Sequence, residues 1–141
     1  MAKLKEYNAG EVSVVFGAQA LQGFTEGTFI NITRLEDSYT MVVGADGEAT
    51  RSKTNNRSGS IEVTLKQSSE SNDYLSQMLI ADEAGGVGVL PLTIIDNTGT
   101  TIISALESWV KKPSDTGFGR DAEDRVWTID CADLSMFVGG N

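Results

Sequence analysis

The sequence contains no histidine, a single cysteine and only two prolines among its 141 residues. Without histidine, Ser-His-Asp and Cys-His catalysis and histidine-ligated metal sites are excluded. One cysteine, Cys131, forms neither an intrachain disulfide nor a cysteine cluster. No apolar run approaches the roughly 20 residues that cross a bilayer, so no membrane segment is expected. The N-terminus has positive charge but no apolar stretch after it, which predicts a protein made and kept in a cytoplasm rather than exported.

Basic residues are scarce. Lysine and arginine number 11 against 20 aspartates and glutamates, which gives a net charge of −9 and a pI near 4.4. Such a chain is a poor match for nucleic-acid phosphates, whose neutralisation needs clustered Lys and Arg. Hydrophobic residues make up 40% and charged residues 22%, which is the composition of a folded chain. The length fits one domain, residues 1–141, and no internal repeat is evident.

The abundant residue types indicate β structure. Fifteen glycines and many threonines, valines and isoleucines predict strands separated by frequent turns. The run Asp96-Asn97-Thr98-Gly99 predicts a tight hairpin turn, and Asp46-Gly47 a second turn inside a long polar stretch. Eight strands are predicted, over residues 12–16, 29–35, 39–43, 60–67, 90–96, 100–108, 125–131 and 134–138.

One helix is predicted. The run Ser71-Asn72-Asp73 offers N-cap candidates, and Gly85-Gly86 ends the segment. At about four turns, it is long enough only to lie over a sheet. One of its faces is apolar, in two pairs of residues four apart: Tyr74 with Met78 and Leu75 with Leu79.

The apolar pattern of the strands predicts a partner. Residues 60–67 alternate, with Ile61, Val63 and Leu65 on one face, as in a half-buried strand. Other strands are apolar on both faces, and one short helix cannot cover all of that surface. We therefore expect an antiparallel β-sandwich with one flanking helix that assembles into a homo-oligomer. The strands concerned contain Val14-Val15-Phe16, Met41-Val42-Val43, Ile94-Ile95 and Ile102-Ile103.

The sequence contains no motif typical of a catalytic, cofactor or metal site. Gly85-Gly86-Val87-Gly88 lacks the Lys and Ser/Thr of a phosphate-binding loop. The acidic runs at Glu36-Asp37, Asp82-Glu83 and 121–124 could supply a hydrolase acid/base pair or bind Ca²⁺, but nothing fixes their separation. Solvated loops account for them more simply. We expect no catalytic residue, no cofactor and no metal.

The lone cysteine and the two tryptophans are interpreted as packing residues. Cys131 lies in a strand-like run beside Asp130, and a buried strand cysteine behaves as a small apolar residue. Trp109 and Trp127 lie among apolar strand residues, which favours core or interface anchors over a sugar-binding platform.

A basic patch occurs in the polar stretch between residues 44 and 59. Three bases without an interleaved aromatic are a weak nucleic-acid signal. Either the patch is solvated, or it pairs with acids of a neighbouring subunit such as Glu36 or Asp37. On the second interpretation, seven charged positions are candidate subunit contacts: Arg51, Lys53, Arg57, Asp46, Glu48, Asp121 and Asp124.

Several segments, in order and spacing, resemble the tail tube proteins of contractile-tailed bacteriophages. The resemblance spans residues 7–138, and it is carried by the order of the segments rather than by one motif. The segments are Tyr7-Asn8-Ala9-Gly10-Glu11-Val12-Ser13-Val14-Val15-Phe16-Gly17, Gly27-Thr28-Phe29-Ile30-Asn31-Ile32, Asn55-Asn56-Arg57-Ser58-Gly59-Ser60-Ile61-Glu62-Val63-Thr64-Leu65, Ser71-Asn72-Asp73-Tyr74-Leu75 and Pro91-Leu92-Thr93-Ile94.

The resemblance implies a structural subunit of the virion tail, assembled in the host cytoplasm. Six copies would form a ring whose sheets join into a continuous barrel, and rings would stack into a hollow tube inside a contractile sheath. Implied partners are the sheath, baseplate and tail-terminator proteins, with a tape-measure protein in the lumen and DNA as passing cargo. The resemblance also implies that residues 44–59 form a long inter-subunit loop and that residues 1–10 form a contact segment.

Other functions stay open on sequence grounds. Phage-tail-like bacteriocins and type VI secretion particles build tubes from the same architecture. A monomeric β-sandwich binding module, for example for carbohydrate, would need exposed aromatic residues forming a platform. An acidic-residue hydrolase would need a positioned pair of carboxyl groups.

Overall fold

The computed structural model describes residues 4–141, and it is built mainly from antiparallel strands with one α-helix. Residues 1–3 of the predicted N-terminal contact segment lie outside the described part. A short 3₁₀ helix and eleven further elements follow one another along the chain. They are the 3₁₀ helix Ala9–Glu11, β1 Val12–Phe16, β2 Gln19–Ala20, β3 Ile30–Arg34, β4 Tyr39–Val43, β5 Ala49–Lys53, β6 Gly59–Leu65, α1 Ser71–Gly85, β7 Leu90–Asp96, β8 Ile102–Val110, β9 Arg125–Cys131 and β10 Leu134–Phe137.

The main sheet has eight strands in the order β2–β1–β7–β8–β9–β6–β3, with β10 also paired to β8. Strand β8 belongs to both layers of the sandwich. Its first half pairs with β10, and its last three residues, Ser108 to Val110, pair with β9. The register of β7 against β8 shifts between Leu90 and Leu92. Such a bulge bends a strand and lets it pass from one layer to the other.

The core lies between the two layers. Ile61, Val63 and Leu65 of β6 are completely buried, and Glu62 between them is exposed, so the predicted alternation is confirmed. Val14 and Phe16 of β1 face them from the other layer as members of the same buried cluster. Each such side chain contributes about 1.5–3 kcal/mol through burial, and this burial sets the register of both layers.

The helix closes one end of the sandwich. Leu75 and Leu79 are buried, as the i, i+4 pattern predicts, and the Tyr74 hydroxyl donates to the backbone oxygen of Phe16 at 2.7 Å. At the end of the helix, Gly86 has a φ of +67°, and its N–H donates to the carbonyl of Asp82 at 2.8 Å. The predicted glycine stop is confirmed, because glycine adopts this left-handed conformation without strain.

The N-cap prediction at residues 71–73 is wrong. The helix begins at Ser71, and its N-cap is Glu70, whose side chain makes no capping hydrogen bond. The hydroxyl of Ser69, one residue earlier, accepts from the Ser71 N–H at 3.2 Å. Asn72 instead ties the helix to the sheet, since its side-chain oxygen accepts from the indole N–H of Trp127 at 2.8 Å. Trp127 is therefore a core residue, as expected, with its polar atom satisfied.

Residues 44–59 do not form one long loop, and that part of the prediction is corrected. Strand β5, Ala49–Lys53, lies within the stretch and pairs along its whole length with β4 in a separate two-stranded sheet. The two strands form a hairpin, here called the β4–β5 hairpin, which spans residues 39–53. Strand β5 has no apolar alternation because it packs on no core, so its sequence resembles that of a polar loop.

The sandwich does not close into a barrel within one subunit. Strand β3 pairs with β6 along one edge, and its other edge pairs with no strand in the described range 4–141. Free edges of this kind are normally covered or used for association. The predicted fold class, an antiparallel β-sandwich with one flanking helix, is confirmed for the single subunit.

Candidate subunit-contact surfaces

The β4–β5 hairpin projects from the body of the protein. All ten residues of its two strands are exposed. A tight turn joins them: the Gly44 N–H donates to the Glu48 carbonyl at 2.8 Å, and Gly47 has a φ of +88°, as the predicted Asp46-Gly47 turn requires. Two strands alone are marginally stable in water. The hairpin is therefore a surface that gains stability when another molecule covers it.

One face of the hairpin combines apolar and basic side chains. The register places Tyr39 opposite Lys53 and Met41 opposite Arg51. The guanidinium carbon of Arg51 lies 4.1 Å from the centre of the Tyr39 ring. We call this surface the hairpin face and define it by Tyr39, Met41, Val43, Ala49, Arg51 and Lys53, which all lie on one side of the two strands.

Four of the seven predicted contact positions lie together on this hairpin. Arg51 and Lys53 belong to β5, and Asp46 and Glu48 belong to the turn. The Asp46 carboxylate accepts from the Glu48 N–H at 3.1 Å, so it also stabilises the turn. The bases and the two acids are thus separated along the hairpin, with the acids at its tip.

The other three positions lie elsewhere. Arg57 forms an ion pair with Asp133 of its own chain, at 3.3 Å between Nε and Oδ1, beside the start of β10. Asp124 accepts from the Thr25 hydroxyl at 2.7 Å, and Asp121 is exposed in the loop between β8 and β9. The structure thus brings Arg51 and Lys53 together but keeps Arg57 apart from them.

An apolar groove opens between the layers, beside the free edge of β3. Its volume is about 490 Å³, and Ile30, Ile94 and Ile103 form its floor and walls together with neighbouring apolar residues. Two carboxylates, Glu26 and Asp96, also line it, whereas none of the described lining residues is a lysine or arginine. No local sequence pattern predicts this groove, because strands from both layers form it.

The two outer faces of the sandwich differ in character. Outward-pointing residues of β1, β7, the first half of β8 and β10 carry no charge and include Ile102 and Phe137, which are 50% and 64% exposed. We call this the uncharged face. Outward residues of β3, β6 and β9 are mostly polar and include Glu62 and Asp130 but no base. We call this the acidic face.

The lone cysteine has the properties of a packing residue. Burial, and then the charge of Asp130, raise the pKa of the Cys131 thiol to about 11, as expected for a structural cysteine. In the part of the chain that the structure describes, no three His, Cys, Asp or Glu side chains are grouped so that they could hold a metal ion. None of the helices described is both long enough and apolar enough to cross a membrane.

A family model described as the Bacteriophage PhiTE tail tube protein matches residues 4–139. The chain belongs to this phage tail tube family. It is also 30% identical over 143 residues to the structural protein ORF10 of Pseudomonas phage KPP10, a match that covers 96% of this chain and 83% of that protein. The chain is thus a structural subunit of a phage tail tube and a component of the virion tail, and the resemblance seen in the sequence is confirmed.

Solved structures show the same fold. A chain of the anti-feeding prophage cap, the AFP tube terminating cap, has a TM-score of 0.64 at 10% identity and covers 97% of the tail tube subunit and 94% of that chain. The PVC extracellular contractile injection system contributes two more. A chain of its sheath/tube terminator has a TM-score of 0.60 at 13% identity, covering 97% and 100%. A chain of its sheath-tube complex has a TM-score of 0.56 at 14% identity, covering 94% and 91%.

Proposed function

We propose that six copies of the tail tube subunit form a ring, that their sheets join into one continuous barrel around a channel, and that the rings stack into a hollow tube. The observation that carries this proposal is the fully exposed β4–β5 hairpin on a sandwich whose sheet does not close. An exposed hairpin and an unpaired sheet edge both lower the stability of a free monomer, because each is stabilised by pairing with further strands or by packing. The bases Arg51 and Lys53 would then meet acids of a neighbour.

The acidic face suits the wall of the channel. Glu62 and Asp130 point outward from adjacent strands, with Glu62 opposite Thr128 and Ser60 opposite Asp130 in the ladder. Six copies at −9 each place a net charge of −54 on a ring. A negative wall repels DNA phosphates, so the genome passes as cargo without binding. Screening limits the effect to roughly 8 Å at physiological salt, which concerns the DNA nearest the wall.

The uncharged face suits protein partners. Ile102 and Phe137 would leave water on contact with another protein, which stabilises an interface by about 25 cal/mol per Å² of apolar surface. Fold relatives come from a sheath-tube complex and a sheath/tube terminator, which supports sheath and tail-terminator proteins as partners. The tail role also implies a baseplate, a tape-measure protein in the lumen and assembly in the host cytoplasm.

Two other functions compete with this proposal. Two of the fold relatives belong to an extracellular contractile injection system and one to an anti-feeding prophage, which supports a bacteriocin-like or secretion particle as the second candidate setting for the tube. A carbohydrate-binding monomer would need a platform of exposed aromatics. The exposed aromatic residues instead lie on separate segments, and within residues 4–141 none of them stacks on another aromatic ring. These exposed residues are Tyr7, Tyr39, Phe118 and Phe137.

Electron microscopy of the purified protein, with light scattering over a range of concentrations, tests the proposal. Hollow tubes or stacked rings with six-fold symmetry are the expected result. A particle of 15.1 kDa at every concentration, both alone and after addition of baseplate protein as an initiator, would contradict it.

A further inference from the structure

The hairpin face is exposed in the part of the chain that the structure describes, residues 4–141. Met41 is 69% and Val43 55% exposed, although both lie in strands that are fully paired to each other. Arg51 and Lys53 stand on the same face. A partner for this surface must therefore offer apolar area with carboxylates beside it.

The apolar groove beside β3 has this composition. Val12, Phe29 and Ile94 contribute apolar walls, and Glu26 and Asp96 contribute the carboxylates. Liquid water occupies about 30 Å³ per molecule, so a groove of about 490 Å³ holds many waters against apolar walls in the free subunit. Their release would favour docking of an apolar surface.

The two surfaces lie toward opposite ends of one strand. Phe29 and Ile30, at the start of β3, line the groove, and the chain leaves β3 at Arg34 to enter the hairpin. All hairpin residues are exposed, so the hairpin does not occupy the groove of its own chain. When a protruding hairpin and its receiving groove lie on different parts of one molecule, the contact between copies is heterologous. Such a contact repeats from copy to copy instead of closing as a symmetric dimer.

We propose that the hairpin face of one subunit docks into the apolar groove of a second copy, with Arg51 and Lys53 beside Glu26 and Asp96 of that copy. This inference rests on the proposed tube assembly and specifies its contact. Because Ile30 and Ile32 of β3 line the groove, docking there also brings the hairpin close to the free edge of that strand. The contact links successive subunits and supplies the apolar cover that the hairpin lacks.

Cysteine cross-linking of assembled tubes tests the contact. The test pair is Met41→Cys on the hairpin face and Thr28→Cys at the groove, combined in one chain. The matched control pair replaces Met41→Cys by Thr40→Cys, which lies next to it but on the other side of the hairpin. Native Cys131 is retained, because its thiol is buried and does not compete for the oxidant. Tubes are oxidised, and linked dimers and longer ladders are counted after denaturation.

We expect the Met41/Thr28 pair to link about tenfold faster than the Thr40/Thr28 pair, because a disulfide needs Cβ atoms roughly 4 Å apart. Normal tubes in which the two pairs link equally, or not at all, would overturn the docking inference and leave the tube function standing. A failure of the unmodified protein to assemble would contradict the tube function, and the docking inference with it.

Discussion

The guanidinium of Arg51 lies over the ring of Tyr39, with 4.1 Å between its central carbon and the ring centre, on a hairpin whose ten strand residues are all exposed. The stacking is worth about 0.5–1 kcal/mol at an exposed site. It holds a positive charge beside the apolar side chain of Met41, which is opposite Arg51 in the ladder. One surface thus presents a base and apolar area side by side.

Arg51 and Lys53 should contribute to assembly, whereas Arg57 should not. Arg51→Ala with Lys53→Ala removes both bases of the hairpin face, so we expect more unassembled protein than in the wild type by sedimentation. Arg57→Ala breaks only its exposed pair with Asp133, worth about 0–1 kcal/mol, and should leave the assembled fraction nearly unchanged. Equal losses of assembly in Arg57→Ala and the double variant would refute this division.

The hydrogen bond between Asn72 and Trp127 should stabilise the packing of the helix on the sheet. Asn72→Ala leaves a buried indole N–H without its acceptor, which costs about 1–3 kcal/mol, and it also removes the amide that donates to the carbonyls of Lys66 and Ser69, each at 3.0 Å. We expect a lower urea midpoint in equilibrium unfolding of the subunit. Gln77→Ala, an exposed position of the same helix, is the matched control and should change the midpoint little. Indistinguishable midpoints for the two variants would show that the side-chain hydrogen bonds of Asn72 contribute nothing to stability.

Cys131 should make stability fall in alkaline solution. Its pKa is raised from 9.0 to about 11 in the folded protein, first by burial and then by Asp130. Between these values the unfolded chain has lost the thiol proton and the native state keeps it, so the free energy of unfolding decreases as pH rises. Below about pH 9 both states keep the proton and this contribution is fully present.

The pH effect is measured as a difference between two proteins. Denaturant unfolding at about pH 8 and about pH 10.5 should show a larger loss for the wild type than for Cys131→Ala, because other groups titrate equally in both. Identical losses would mean that the thiol ionises as easily in the native state as in the unfolded chain.

Charge reversal on the acidic face should slow DNA passage. In phage that carry Glu62→Lys with Asp130→Lys, lysines on the wall would attract phosphates and delay ejection. The control reverses Asp73 and Glu83, two exposed acids of the helix, with the same change in net charge. Unchanged ejection rates in the first variant, with intact tubes, would remove the acidic face from the channel wall.

The sequence was informative wherever side chains meet the core. The pairing of Ile94 with Ile103 in the β7–β8 hairpin follows from the turn at residues 96–99, and the burial of Ile61 follows from strand alternation. Both depend on local geometry and on one buried face, which a single sequence records.

The parts missed are those that no local pattern records. Strand β5 is fully exposed and lacks alternation, so its Thr50 and Ser52 resemble loop residues. The hydroxyl of Ser69 reaches the first turn of the helix because of the way the chain bends before it, and no local pattern in the polar run at residues 71–73 records that bend. The groove brings together Val12 and Ile30, residues of different layers whose meeting is a tertiary property.

A cryo-electron microscopy reconstruction of the assembled protein, at a resolution that shows side chains, tests the central claim most directly. The account predicts rings of six subunits stacked around an open channel, with Glu62 and Asp130 on the channel wall and the β4–β5 hairpin buried against a second copy. An assembly with another ring symmetry, or with hairpins free in solvent, would contradict it.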